Sequence, residues 1–107
     1  MPAYAVAVVH RVEHGPDIVE YLERIDATLK PFSGRFMVHG GEVEPVEGSW
    51  KGDLIVIRFP DRDHVRGWYD SPAYQAILKL RTDHMTADVF FADGVPADYE
   101  GADKLRK

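Results

Sequence analysis

The side chains best suited to binding or transforming a small molecule lie between positions 39 and 81 of this 107-residue chain. They comprise one imidazole, one carboxylate, two guanidinium groups and four large aromatic rings: His39, Glu47, Arg58, Arg81, Trp50, Trp68, Tyr69 and Tyr74. Apolar clefts with a few convergent polar groups are the usual form of a ligand site. We therefore treat these eight residues as candidate ligand-binding residues and assign none of them a catalytic role.

Each of these residues also has an ordinary structural interpretation. Large aromatic side chains dominate burial in small domains, so Trp68, Tyr69 and Tyr74 can equally belong to the core or to an interface. Arg81 can pair with a carboxylate or a carbonyl group of the chain itself. Its planar guanidinium can also anchor an anionic ligand, because this fork of donors matches the two oxygens of a carboxylate. Both interpretations stay open from the sequence.

Acid–base and metal chemistry have less support in the sequence. His39 and Glu47 could form an acid–base pair, although a surface histidine and a turn carboxylate are the simpler interpretation. Adjacent helical residues point in different directions, so Asp63-His64 and Asp83-His84 are not ready-made catalytic pairs. The five histidines lack the spacing of a dedicated metal site. We expect no metal and no cofactor, haem included.

The overall composition is that of one globular domain. Hydrophobic residues make up 45% of the chain and charged residues 29%, which is an ordinary balance for a folded protein. The net charge of −5 and the absence of a basic stripe argue against nucleic acid as a partner. No apolar run is long enough to span a bilayer, and the chain has no cysteine. We expect a cytoplasmic protein without disulfides.

The first half of the sequence predicts a strand followed by a helix. Residues 4–12 are almost continuously apolar and rich in β-branched side chains, as in a strand buried on both faces. Pro16 suits the first turn of a helix, and Pro31 ends that helix. Between them, apolar residues recur at helical spacing and form one predicted stripe: Ile18, Tyr21, Leu22, Ile25 and Leu29.

The second half predicts two strands, a helical segment and a final strand, over residues 34–46, 53–59, 61–81 and 87–92. Gly40-Gly41 indicates a bulge or a close backbone approach within the first of these strands. Asp61 is a plausible cap for the helix that follows Pro60. Ser71-Pro72 then restarts the helix as a new cap and first residue. Asp93-Gly94 closes the last strand.

The resulting β-α-β-β-α-β order is the split βαβ arrangement of ferredoxin-like domains. We therefore predict an α+β sandwich with a four-stranded antiparallel sheet, over residues 1–94, followed by a polar tail over residues 95–107. Two helices cover only one face of such a sheet, yet the first, third and fourth strands carry apolar residues on both faces. An uncovered apolar face of this size is unusual in a monomer. A homodimer that packs sheet against sheet is the simplest cover.

One aromatic run in the sequence is specific, namely Trp68-Tyr69-x-Ser71-Pro72-x-Tyr74-Gln75. Weaker signals accompany it: Gly34-Arg35-Phe36, Gly40-Gly41, Glu47-Gly48 with Trp50, Phe59-Pro60, and Arg81. From about Tyr4 to Gly94 the chain thereby resembles the family catalogued as domain of unknown function 1330, within the dimeric α/β-barrel superfamily. His39 and Arg58 depart from the family pattern, which has an arginine and a glutamate there. Both departures change the charge on the central strands.

The resemblance implies a fold and a dimer, and it implies no particular activity. Our first hypothesis is a protein that binds a small molecule without turnover. The second is a small cofactor-independent enzyme, oxygenase-like or isomerase-like, as its superfamily supports; this rests on fold analogy. The third is a purely structural or interaction module. A catalytic amine at Pro2, as in tautomerases, is a further alternative, but the order of elements fits a ferredoxin-like unit better.

We predict that a ligand would lie between the 68–81 helical segment and the second and third strands. The Ser71-Pro72 break can open a gap against the sheet, and Gly40-Gly41 removes side chains opposite that gap. With aromatic walls and Arg81, the natural guest is a small carboxylate-bearing or phenolic molecule. The alternative is that the two glycines simply bend the strand so that a barrel can close.

Overall fold

The computed structural model describes residues 1–105, which form one four-stranded sheet and three α-helices. In chain order these are β1 (Ala3–Val12), α1 (Pro16–Leu29), β2 (Arg35–His39), β3 (Asp53–Phe59), α2 (Arg62–Asp70), α3 (Pro72–Thr82) and β4 (Met85–Asp93). Short 3-10 helices follow α1 at Lys30–Phe32 and end the described chain at Gly101–Leu105. The last two positions of the predicted tail, 106–107, lie outside the described residues.

The strands lie in the order β2-β3-β1-β4, and every neighbouring pair is antiparallel. This is the ferredoxin-like arrangement, so the predicted fold class is confirmed. β1 lies in the interior of the sheet, where Ala5 pairs with Ile57 of β3 and with Phe91 of β4. The two central strands thus carry the apolar runs that the sequence shows most clearly.

The helices cover one face of the sheet and form the core with it. Side chains alternate along a strand, and the odd-numbered residues of β1 face the helices: Ala3, Ala5 and Val9 are buried. Their main partners on the helices are Tyr21, Ile25, Trp68, Tyr74 and Ile77. The small side chains of Ala3, Ala5 and Ala7, at alternate positions of β1, let bulky helical side chains approach this central strand closely.

The opposite face of the sheet remains open and is largely apolar. It presents Tyr4, Val6 and Val8 of β1, paired in register with residues such as Val56 and Phe90. Phe90 is 48% exposed, although it is a large hydrophobic residue. The predicted apolar character of both faces is therefore correct, and the fold decides which face the helices cover.

Three local predictions were wrong. The strand predicted over 34–46 is only Arg35–His39, because Gly40 has a positive φ of 67° and the chain leaves the sheet there. The irregularity in this strand lies between Phe36 and Val38, not at Gly40-Gly41. In α1, Leu22 is 46% exposed. Leu22 lies at the margin of the apolar stripe and faces solvent. Besides the other residues of the predicted stripe, α1 buries Thr28, which lies two helical turns after Tyr21.

The predicted helix over 61–81 consists of two helices that meet at Ser71. Asp61 caps α2, since its carboxylate accepts a hydrogen bond from the His64 amide at 2.9 Å. Ser71 ends α2 and begins α3: its hydroxyl donates to the Trp68 carbonyl at 2.7 Å and accepts from the Tyr74 amide at 3.2 Å. Pro72 then takes the first position of α3, where no backbone donor is needed.

None of the helices formed by residues 1–105 has both the length and the apolar character needed to cross a membrane.

Candidate functional site

A small apolar cleft lies between the helical layer and the covered face of the sheet. It has a volume of about 50 Å³ and is open at one side. Its floor comes from β1, β3 and β4, and its walls come from all three helices: Ala5, Val6, Ala7, Ile55, Ile57, Val89, Tyr21, Ile25, Trp68, Tyr74 and Arg81. Most of the lining is hydrocarbon, and the polar atoms come from a single cluster. We call this space the Arg81 cleft.

Two helices supply the polar cluster of the Arg81 cleft. Tyr74 and Arg81 lie seven residues apart on α3, which places them two turns apart on the same helix face. Tyr21 projects from α1, and its hydroxyl lies 2.7 Å from that of Tyr74. The Arg81 guanidinium carbon lies 5.9 Å from the centre of the Tyr21 ring, in the range of a cation–π contact.

Arg81 is a buried cation, with 9% of its surface exposed. None of the ion pairs formed among residues 1–105 includes it. Burial lowers its pKa, but hydrogen bonds and charge interactions with Tyr74 and Tyr21 raise that pKa above the ordinary value. Its place in the last turn of α3 also favours a positive charge through the helix dipole. The guanidinium is therefore permanently charged within the cleft.

The phenol of Tyr21 is held in its neutral form. Burial raises the pKa of Tyr21 well above its ordinary value of 10.0, and the neighbouring Tyr74 raises it further. A phenol with such a pKa is not a base near neutral pH. The cluster can donate hydrogen bonds to an anion or to developing negative charge on oxygen.

The indole of Trp68 has a structural hydrogen bond of its own. Its Nε1 donates to the Thr28 hydroxyl at 3.0 Å, and Thr28 in turn donates to the Ile25 carbonyl at 2.6 Å. Because the hydrogen bond to Thr28 satisfies the only polar atom of the indole, Trp68 offers only its ring to the cleft. Its ring centre lies 4.1 Å from that of Tyr74.

The structure brings three of the eight candidate residues together, namely Trp68, Tyr74 and Arg81. Tyr69 lies beside them, with its ring 5.4 Å from that of Tyr74 and 5.8 Å from that of Phe91. It borders a shallow groove along β4 rather than the cleft.

The other four candidate residues lie elsewhere. His39 is exposed at the end of β2 and stacks on Phe36. Glu47 and Trp50 are exposed in the loop between β2 and β3, where Trp50 donates to the Gly52 carbonyl at 2.9 Å. Arg58 pairs in register with Tyr4, on the open face of the sheet.

The sequence reasoning missed Tyr21 as a site residue and missed the alanine floor. From its spacing, the sequence predicts Tyr21 only as part of the apolar stripe of α1. Two signals could have identified this site. One is a tyrosine within an otherwise aliphatic helix stripe, and the other is the alternation Ala3-x-Ala5-x-Ala7 in a central strand. Such small side chains leave space above the sheet.

Three of the five histidines, His10, His64 and His84, contact carboxylates at the surface. His64 contacts Asp61 at 2.6 Å and His84 contacts Asp17 at 2.9 Å, so neither pairs with its neighbour in sequence. Across β1 and β4, His10 contacts Asp88 at 2.8 Å. Within the described part of the chain, no group of three or more His, Asp or Glu side chains is arranged to hold a metal ion.

A family model described as "Domain of unknown function (DUF1330)" matches residues 2–95. This match confirms the resemblance drawn from the 68–75 aromatic run and its accompanying signals. No curated protein matches the chain significantly.

Several solved structures share the fold at low sequence identity. A protein of unknown function from Rhodopseudomonas palustris is 13% identical, with a TM-score of 0.63, over 89% of this chain and 83% of that one. A dimeric ferredoxin-like protein of unknown function from Jannaschia sp. CCS1 is 10% identical, with a TM-score of 0.67, over 88% and 100%. SnoaB, a cofactor-independent oxygenase from Streptomyces nogalater, is 14% identical, with a TM-score of 0.52, over 92% and 96%.

Proposed function

The chain belongs to the DUF1330 family, a family of unknown function, and we propose that it is a homodimer that binds a small molecule in the Arg81 cleft. The observation that carries this proposal is the buried guanidinium of Arg81, which borders an apolar cleft and has no carboxylate partner among residues 1–105. A buried charge is costly unless an opposite charge or good hydrogen bonds compensate it. The phenols of Tyr74 and Tyr21 form hydrogen bonds with the guanidinium, but no carboxylate among the described residues balances its charge. A bound anion would supply that opposite charge.

The homodimer part of the proposal rests on the open face of the sheet. Tyr4, Val6, Val56 and Phe90 form an apolar surface there that is unusual for a monomer. A second copy, placed sheet against sheet, would cover it. The Jannaschia protein with the same fold is described as dimeric, which supports this assembly.

A small cofactor-independent enzyme is the second candidate function. The specific observation in its favour is the hydrogen bond between the Tyr21 and Tyr74 hydroxyls beside Arg81. In a water-poor cleft, such donors would stabilise negative charge that develops on a substrate oxygen. SnoaB, which has the same fold, is described as a cofactor-independent oxygenase. Conversion of a bound compound, followed by mass spectrometry, would distinguish this candidate from simple binding.

The binding proposal can be tested through tryptophan fluorescence. The chain has two tryptophans, and only Trp68 lines the cleft, so Trp50→Phe leaves a signal specific to the cleft. We expect members of a small-molecule library to change Trp68 emission in this variant. Adding Ala7→Val should abolish the response, because two extra methyl groups enter a cavity of about 50 Å³.

The matched control for this experiment is Ala76→Val, which adds the same atoms on the exposed side of α3. It should leave the fluorescence response unchanged. A response that survives Ala7→Val with the same midpoint would place the ligand outside the cleft. If no compound changes Trp68 emission and native mass spectrometry finds no copurifying molecule, the binding proposal is wrong.

A further inference from the structure

The hydrogen-bonding groups of the Arg81 cleft contain more donors than acceptors. Arg81 has five N–H donors and no acceptor, and its hydrogen bonds with the phenols of Tyr74 and Tyr21 do not use all five. In the Tyr21–Tyr74 pair, one hydroxyl donates to the other at 2.7 Å, so the accepting phenol keeps a proton that it can donate. Among the hydrogen bonds formed by residues 1–105, the pair uses one hydroxyl proton between the two phenols, and the second hydroxyl proton has no acceptor. The group that complements this cluster is therefore an acceptor with two or more oxygen lone pairs.

Charge selects an anion among such acceptors. The guanidinium of Arg81 is buried and lies outside every ion pair of the described chain. The phenol of Tyr21 cannot supply the negative charge near neutral pH, because burial raises its pKa. Hydrogen bonds to an ionised acceptor are about twice as strong as neutral ones. A carboxylate or an enolate satisfies both the charge and the donors.

The volume of the cleft limits the size of the ligand. An apolar cavity of about 150 Å³ binds benzene, whereas the Arg81 cleft measures about 50 Å³. Ala5 and Ala7 form the floor, and the rings of Trp68 and Tyr74 form a wall. An aromatic ring does not fit this space without displacing one of these groups. Scaled from benzene, a volume of about 50 Å³ holds about two heavy atoms, so a short carbon chain fits when its remaining atoms lie at the open side.

We propose that the Arg81 cleft is selective for compact organic anions of roughly two or three carbons, with the carboxylate or enolate oxygens held by Arg81 and by a phenol of the Tyr21–Tyr74 pair. This inference rests on the proposed function, since it names the ligand class of the same site. A larger molecule could place such an anionic group in the cleft and leave its remainder at the open side.

Propionate and propionamide test the inference, because they have nearly the same shape and differ in charge. Their binding to the Trp50→Phe protein can be measured by Trp68 emission and by ligand-observed NMR. We expect propionate to bind at least about tenfold more tightly than propionamide. In Arg81→Met this preference should disappear. The same change at an exposed arginine of α1, Arg24→Met, should leave it intact.

The possible results separate the two proposals. Equal binding of propionate and propionamide would overturn the anion selectivity and leave the cleft as a binding site. If neither probe binds while other library compounds change Trp68 emission and lose that effect in Ala7→Val, only the ligand class is wrong. If no compound binds at all, both proposals fall. Should Arg81→Met fail to fold, the comparison of the two probes on the Trp50→Phe protein still decides the selectivity, and Arg81→Lys tests the guanidinium.

Discussion

At the scale of single residues, the chemistry of this protein depends on how a few polar groups are buried. Arg81, Tyr21 and Tyr74 share an apolar cleft, where each group changes the behaviour of the others. Trp68 also lines the cleft, but Thr28 already satisfies its N–H group. For the proposed ligand, the donors are thus the N–H groups of the guanidinium that are not used by the two phenols and the hydroxyl of one phenol. An inventory of residue types cannot reveal this distinction, because it depends on hydrogen-bond partners.

Tyr21 gives a prediction for alkaline pH. Its pKa is raised in the folded protein, so above about pH 10, the ordinary tyrosine value, the unfolded chain loses a proton that the folded chain keeps. Stability should then fall as the pH rises, by about 1.4 kcal/mol per pH unit for this one group. Tyr21→Phe should remove this contribution. Urea unfolding between pH 9 and 11 measures the slope for both proteins.

A control at pH 7 separates this effect from lost packing. There Tyr21→Phe removes only the hydroxyl that contacts Tyr74, and the resulting loss should be about 1 kcal/mol. If the two proteins lose stability with the same slope above pH 10, Tyr21 does not remain protonated in the fold.

At the scale of elements, the junction between α2 and α3 sets the geometry of the cleft wall. Ser71 ends one helix and starts the next, so its hydroxyl satisfies backbone groups of both. This junction allows Trp68 of α2 and Tyr74 of α3 to pack against each other, with ring centres 4.1 Å apart. A continuous helix would rotate six residues between these positions and would turn the two rings away from one another.

Ser71→Ala should therefore destabilise the protein by about 1–2 kcal/mol, since N-cap replacements cost this much. The loss arises because the Tyr74 amide loses its side-chain acceptor. Chemical denaturation followed by far-UV circular dichroism measures the difference. The matched control is Ser49→Ala in the exposed loop between β2 and β3, which should change stability very little. Equal stabilities of the two variants would show that the cap contributes nothing.

At the scale of the whole molecule, the sheet separates two different surfaces. The covered face holds the core and the Arg81 cleft, and the open face presents an apolar surface that includes Val6, Val56 and Phe90. The proposed ligand site and the proposed dimer interface thus share the same strands but lie on opposite sides. Changes to the open face are expected to affect assembly before they affect binding.

Val56→Asp should convert the proposed homodimer into a monomer, because it places a charge at the centre of the open face. Light scattering after size exclusion at micromolar concentration should give twice the monomer mass for the natural chain and one monomer mass for the variant. Val19→Asp provides the control, since Val19 is 55% exposed on α1, away from the sheet face. A natural chain that is monomeric and folded at this concentration would exclude the dimer.

The sequence alone determined the types of element, their order and the family. Local spacing decides these features, because apolar periodicity, prolines and cap residues act over a few neighbouring positions. The helix from Pro16, the restart at Ser71 and the two-sided apolar strands all follow from such patterns. The length of β2 was not predicted correctly from such patterns. The positive φ at Gly40 takes the chain out of the sheet much earlier than the apolar pattern indicates.

Only the tertiary structure decided which candidate residues meet. Tyr21 and Tyr74 are 53 positions apart in the chain and touch because α1 packs beside α3 on the sheet. Arg58 belongs to the open face and Trp50 to an exposed loop, although their residue types suit a ligand site equally well. Alternation assigns a residue to one side of a strand, but which side the helices cover depends on how the whole chain packs its core.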